Sequence, residues 1–309
     1  ADAEARAADH DYVSPLAARI VDIREKILAE AEARKWPLVD GQLDDRHIVR
    51  RMVLKRVVYG VDKNPMAVEL AKVALWLHSF TIGAPLSFLD HHLRCGDSVV
   101  GAWVRPTVDA LQARGALFRT GLIARVEQVS GLMERIESIT DNDIAEVASS
   151  KQAFAAVEEA VGPVADLFSL LVAERMMGVF DAAPKSPPDP RKLVGADARK
   201  VARAKADLAA FDRASAFQLL LEGTLGDLLR IAGGEERILS EDAAAQIALA
   251  LGDNPDPEPG LFPAVSVDDR RRYLADRLVA EARALAAEHR FFHWEVGFPN
   301  VWRNLLGTP

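Results

Sequence analysis

The chain has 309 residues and a formal net charge of -8; half of it is hydrophobic and only 6% aromatic, so it can build a sizeable, mainly aliphatic core. The acidic balance argues against a surface that coats nucleic acid throughout, and leaves local basic patches open. A single cysteine, Cys95, excludes an internal disulfide framework and fits a reducing cytoplasm. No apolar run reaches the roughly 18 residues of a membrane span, and the first residues lack the basic-then-apolar order of a signal peptide.

In chain order, residues 15–34 place Leu16, Ile20, Ile23, Ile27 and Leu28 at helical spacing. "DDRHIVRRMVLKR" (44–56) reads as a second helix with a basic face. "VVYGVD" (57–62) is a strand by its β-branched residues and its length. A helix follows at once, with Asn64 as N-cap and Pro65 at the first helical position. Residues 83–103 predict a loop, a short strand about Leu93 and Arg94, and a second loop at Gly96. From 105 to 288 the pattern is almost wholly helical, broken by Pro- and Asp-rich stretches at 181–190 and 252–260. Aromatics then concentrate in the last segment (Phe291, Phe292, Trp294, Phe298, Trp302), which predicts a return to an α/β body with a strand over 291–296. The expected domains are 1–104, 105–288 and 289–309.

Asp62 ends a strand and opens a helix. In open α/β sheets, ligands bind at the carboxyl ends of strands, where helix N-termini also point. An ionised carboxylate there is acceptor-only and suits a ribose diol. Met66, one turn into the helix, offers a polarisable surface for an adenine ring. An Asp at this position serves equally as a helix cap or a solvated turn. Some 35 residues later "LRCGDSVVG" puts Asp97 beyond another strand, placed to accept from an adenine amino group, or simply to serve a Gly-Asp-Ser turn.

Other features have plainer readings. His91 and His92 beside Asp90 sit on a segment read as extended, where neighbours point to opposite sides and no further ligand has metal-site spacing. His293 and Trp294 either border a base pocket or belong to the core. The basic stretches "RHIVRRMVLKR" and "RKLVGADARKVARAKADLAAFDR" either contact phosphates or form solvated helix faces. Cys95 reads as a small buried residue.

"VYGVDKNPMAVELAKVALWLHSF" followed by "GAPLSFLDHHLRCGDSVVG" resembles the adenine-specific DNA methyltransferase domain of type IIG restriction-modification enzymes and related phage-defence methylases. The resemblance covers residues 44–103 and resumes at "FFHWEVGFPNVW". It implies a partial Rossmann-like sheet interrupted by a large helical insertion, in a predominantly helical α/β chain. It implies S-adenosylmethionine as cofactor, with Asp62 on the ribose hydroxyls, Met66 against the adenine and Asp97 on the adenine amino group. Double-stranded DNA is the implied partner, through a longer enzyme of the bacterial or archaeal cytoplasm that carries target-recognition and nuclease domains.

Two family motifs are missing. No Gly-rich turn precedes Asp62, and no Asn-Pro-Pro-aromatic motif occurs; "SPPDP" and "NPDP" are the nearest strings. The expectation is therefore a fragment of a longer enzyme, inactive by itself. The alternative is a helical protein-interaction module of a DNA-defence complex with a vestigial nucleotide-binding core. A nicotinamide site is disfavoured, because no Gly-x-Gly-x-x-Gly turn precedes the acidic residue.

Overall fold

The computed structural model describes residues 15–33, 35, 44–79, 88–114, 129, 133, 136, 144–193, 195, 197–251 and 265–301. The chain divides into two compact units, Ala1–Cys95 with Ser130–Val157, and Gly96–Val129 with Glu158–Pro309. These limits differ from the expected domains. The terminal aromatic segment falls in the unit that holds most of the helical stretch, and the strands fall in the other.

In the first unit, α1 (Pro15–Ala33) and α2 (Asp45–Arg56) form as their apolar spacing predicts. They bury Ile23, Ile27 and Ile48 together, with Ile20 and Met52 at the margin. Asp44 caps α2, its carboxylate accepting the His47 N–H at 3.0 Å, and Arg24 pairs with Asp45 between the helices. Strand β1 is Gly60–Asp62, shorter than expected, because Val57 is still bound to α2 through its N–H to the Val53 carbonyl at 2.9 Å. Helix α3 (Pro65–His78) stops where the Ser79 hydroxyl and N–H both turn back onto Leu75, at 2.9 and 3.0 Å.

Strand β2 (Leu93–Cys95) pairs parallel with β1 in the register Gly60 to Leu93, Val61 to Arg94 and Asp62 to Cys95. Helix α3 packs on both strands. This is the strand–helix–strand order that parallel pairing demands, since parallel neighbours need a crossover connection. Lys72 ties α3 to the turn before β2, bonding Asp90 at 2.5 Å and Glu69 at 2.7 Å.

The second unit is helical: α4 (Val104–Ala113), the part of α5 (Ile144–Met177) after Val157, a 3-10 turn at Pro190–Lys192, α6 (Ala198–Leu221), α7 (Leu228–Gly233), α8 (Glu241–Leu251) and α9 (Val267–His289). Helices α6 and α9 lie along one another, burying Ala214, Phe217 and Leu221 on one and Ala275, Leu278 and Ala282 on the other. Ion pairs Arg213–Glu281 (2.9 Å) and Arg270–Asp212 (3.3 Å) flank that seam. Residues 181–189 form no helix, as their prolines predict; the stretch 252–260 lies outside the described residues.

The strand expected over 291–296 does not form. Arg290 ends α9 in the left-handed region (φ 56), Phe291 makes one parallel bridge to Asp97, and the chain then coils into α10 (Trp294–Gly297). Past that bridge the backbone turns onto itself: the N–H groups of Val296 and Gly297 donate to the His293 carbonyl at 3.1 and 2.7 Å and that of Phe298 to the Trp294 carbonyl at 3.0 Å, helical bonds in place of a strand partner. The architecture of the described residues is thus predominantly helical with a two-stranded parallel sheet. No described helix is long and apolar enough to cross a membrane.

Candidate functional site

Asp62 is the last residue of β1 and is exposed. Its Oδ1 accepts the Asn64 N–H at 2.7 Å, and the Asn64 side chain in turn accepts the Met66 N–H at 2.9 Å. Two short side chains thereby convert strand into helix within three residues, with Pro65 at the first helical position. The turn reading of Asp62 is therefore correct as local structure. It does not exhaust the carboxylate, because no hydrogen bond from a described residue reaches Oδ2. Met66 is 64% exposed beside it.

Cys95 stands opposite Asp62 in the register. It is exposed, which corrects the expectation of a buried residue: it is the end residue of its strand, and its thiol reaches the Lys63 carbonyl at 3.7 Å.

Behind the strands, His91 and His92 are both fully buried. They sit on a turn, not an extended segment, so their rings meet edge to face at 4.2 Å instead of diverging. His91 stacks on Phe88 and lies against Phe154, and neither of its ring nitrogens has a hydrogen-bond partner. Burial holds its pKa down to about 2, so it is neutral. His92 donates from Nδ1 to the Val58 carbonyl at 2.8 Å and is pushed by burial to about 4. Among the described residues no group of three or more His, Cys, Asp or Glu side chains is gathered for a metal ion.

In the second unit, Asp97 Oδ1 accepts the N–H groups of Val99 (3.0 Å) and Val100 (3.2 Å), and its own N–H donates to the Arg290 carbonyl at 2.6 Å. The loop it opens is held from the far end of the sequence. Phe292 N–H donates to Val100 O (3.0 Å), Ala102 N–H to His293 Nδ1 (2.9 Å), Trp294 Nε1 to Ser98 O (3.0 Å), and Val104 N–H to the buried Glu295 carboxylate. Because Nδ1 of His293 accepts, Nε2 carries the proton and donates to Ser169 Oγ at 3.0 Å. That tautomer gives Ser169 no general base. Burial holds His293 down to about 4, against the opposing pull of the Ala165 carbonyl. Of the two readings of this segment, the core reading describes His293: it is structural cement for the loop.

Phe292 is the residue that sequence reasoning passed over as one aromatic among five. It packs with Trp294 at 5.7 Å and Phe298 at 5.3 Å. A Cβ added at Gly96 would lie 2.8 Å from its Cβ, and one at Gly101 would overlap its carbonyl oxygen. The signal was present as Gly96, Gly101 and Gly297 together with the aromatic cluster, but nothing local links positions so far apart.

Described residues of the second unit enclose three cavities with measured linings, among them one of about 680 Å³ bounded by Asp212, Arg213, Arg270, Tyr273 and Arg277, and one of about 380 Å³ bounded by Asp166, Ser169 and Arg283. None of the three is lined by Asp62, Met66 or Asp97. Asp62 and Met66 belong to the first unit and Asp97 to the second. Comparison with protein-family models, curated proteins and solved structures finds no match to this chain.

Two predictions follow from the buried histidines and the glycine loop. Below pH 6.5 the unfolded chain takes up protons that His92 and His293 refuse down to about 4, and His91 to about 2, so stability falls as the pH drops through that window. Each histidine adds a slope of about 1.4 kcal/mol per pH unit. His91→Phe keeps the stack and removes two unpartnered nitrogens; its urea midpoint should exceed wild type and decline less between pH 6.5 and 4. Gly101→Ala should cost about 1–3 kcal/mol in the same titration, because the overlap is with backbone and cannot relax by a rotamer change.

Proposed function

We propose that the chain is the cofactor-side part of an adenine-specific DNA methyltransferase that uses S-adenosylmethionine. One observation carries the reading: Asp62 closes a strand that is parallel-paired to β2, the chain enters α3 three residues later, and the second carboxylate oxygen and the Met66 thioether remain presented at that edge. Asp62 would accept from the ribose hydroxyls through Oδ2. Its Oδ1, held by the Asn64 N–H, fixes the rotamer in advance, which lowers the ordering cost of binding. Met66 would lie on the adenine ring. Two features support the assignment without reaching the chemistry: the resemblance of residues 44–103, and the placement of an acidic residue at the carboxyl end of a parallel strand.

Methylation of adenine in duplex DNA needs the target base extruded into a pocket and its amino nitrogen aligned with the methyl group. The sequence has no Asn-Pro-Pro-aromatic motif to accept from that amino group, so the reading is a binding half without the catalytic residues.

A second reading has its own observation. Met66 (64% exposed), Leu70 (61%), Val73 (50%) and Leu77 (62%) recur at four-three-four spacing along one face of α3. Such a stripe is a docking face for a protein partner, and in that reading Met66 belongs to the stripe and not to an adenine site.

Calorimetry separates the two. S-adenosylmethionine should bind the wild-type chain, and Asp62→Ala should weaken binding about tenfold or more with the helical circular-dichroism signal unchanged. Equal affinity in both proteins, or no heat in either at millimolar cofactor, would sink the methyltransferase reading and leave the docking face. With a tritiated methyl donor and duplex DNA, the chain alone should transfer no label; incorporation into adenine would show that a catalytic acceptor exists elsewhere in these residues.

A further inference from the structure

Several cations of the second unit pair with carboxylates. Arg213 and Arg277 share Glu281, Arg270 holds Asp212, Arg230 lies between Glu235 and Glu236, and Arg237 meets Glu241. One stretch departs from that pattern. Lys185, Arg191, Lys192, Arg199, Lys200 and Arg203 are all exposed, and none of them makes an ion pair with a described residue. They are brought together because the 3-10 turn Pro190–Lys192 packs against α6, whose first two turns carry Arg199, Lys200 and Arg203.

Asp189 and Asp197, interleaved in this stretch, form no ion pair with these cations and are outnumbered by them. Asp189 and Asp197 are N-caps: their carboxylates accept the backbone N–H of Arg191 at 2.9 Å and of Arg199 at 3.3 Å. They satisfy the starts of the 3-10 turn and of α6, and leave the neighbouring guanidinium and ammonium groups unpaired. A chain of net charge -8 that keeps six unpaired cations on one short stretch concentrates positive potential there.

Among the described residues between 185 and 205 no large apolar side chain is exposed, so they offer neither the anchor of a protein hot spot nor the wedge of a membrane-inserting surface. Basic groups without apolar or aromatic companions suit a regular array of phosphates. We propose that this face, formed by the Pro190–Lys192 turn and the start of α6, docks the phosphate backbone of duplex DNA without reading its sequence. The choice of DNA among polyanions rests on the methyltransferase reading; the existence of the unpaired cationic face does not. The face would hold the duplex by counterion release, while base recognition lies elsewhere.

The test is fluorescence anisotropy of a short labelled duplex of arbitrary sequence with the full chain, over a series of salt concentrations. Charge reversal at four positions (Arg191→Glu, Lys192→Glu, Arg199→Glu, Arg203→Glu) should weaken binding at least about tenfold and flatten the dependence of log affinity on log salt by about 3. Reversal of four paired cations, Arg230→Glu, Arg237→Glu, Arg271→Glu and Arg277→Glu, should leave both nearly unchanged, which controls for net charge. Circular dichroism confirms that the variants are folded. Equal binding by wild type and the four-fold variant, or no duplex binding by wild type at low salt, overturns the proposal. So does displacement of the duplex by an acidic polypeptide at equal charge concentration, which would assign the face to a protein, or preferential capture by anionic phosphatidylserine vesicles. Duplex binding that survives while S-adenosylmethionine fails to bind would overturn only the functional reading; the converse would overturn only this one.

Discussion

The second unit depends on the absence of side chains at Gly96 and Gly101, which lets Phe292 and its carbonyl occupy the space beside the loop that leaves β2. Around that contact, five hydrogen bonds run from residues 290–295 to residues 97–104, two of them between groups 191 positions apart in sequence. Loop closure over such a distance costs conformational entropy that a single bond does not offset. The aromatic contacts of Phe292, Trp294 and Phe298 supply the apolar burial that makes closure favourable. Arg290, which ends α9 in the left-handed region, and the short α10 flank that ring along the chain, and Glu295 of α10 holds the start of α4.

The two carboxylates singled out by sequence use the same local device in different surroundings. Asp62 Oδ1 takes the N–H two residues on, and Asp97 Oδ1 does likewise with Val99. The turn role and the ligand role, set against each other in the sequence, are compatible: an Asx turn consumes one lone pair and orients the rest of the carboxylate. What differs is support. Asp62 is held by three consecutive local choices, Asp, Asn and Pro, whereas Asp97 is also anchored through its N–H to Arg290. A function that needs a rigid acceptor is better served by the second arrangement, and one that needs an accessible acceptor by the first.

Buried histidines give the chain its polar interior. His91 has no hydrogen-bond partner for either nitrogen, while His293 has both nitrogens satisfied and joins three elements. The same residue type is an energetic liability in one unit and a fastener in the other. Burial lowers the pKa of each for the same reason, the cost of a charge in a low-dielectric surround, and only the hydrogen bonds distinguish them.

Much of the local structure was legible from the residues alone. The Asn64 cap with Pro65, the helices at 15–33 and 45–56, and the short strands ending on Asp62 and about Leu93 and Arg94 all follow from propensities that act within one or two turns. So does the absence of helix over 181–189, where prolines deny the backbone its helical bonds. Tertiary structure decided what proximity in sequence cannot encode: that 291–296 makes one bridge and a helix instead of a strand, that Cys95 faces solvent, that His91 and His92 converge, and that Gly101 must lack a side chain. In each case the deciding partner lies across a turn or far along the chain, and steric exclusion or a hydrogen bond to that partner outweighed the local preference.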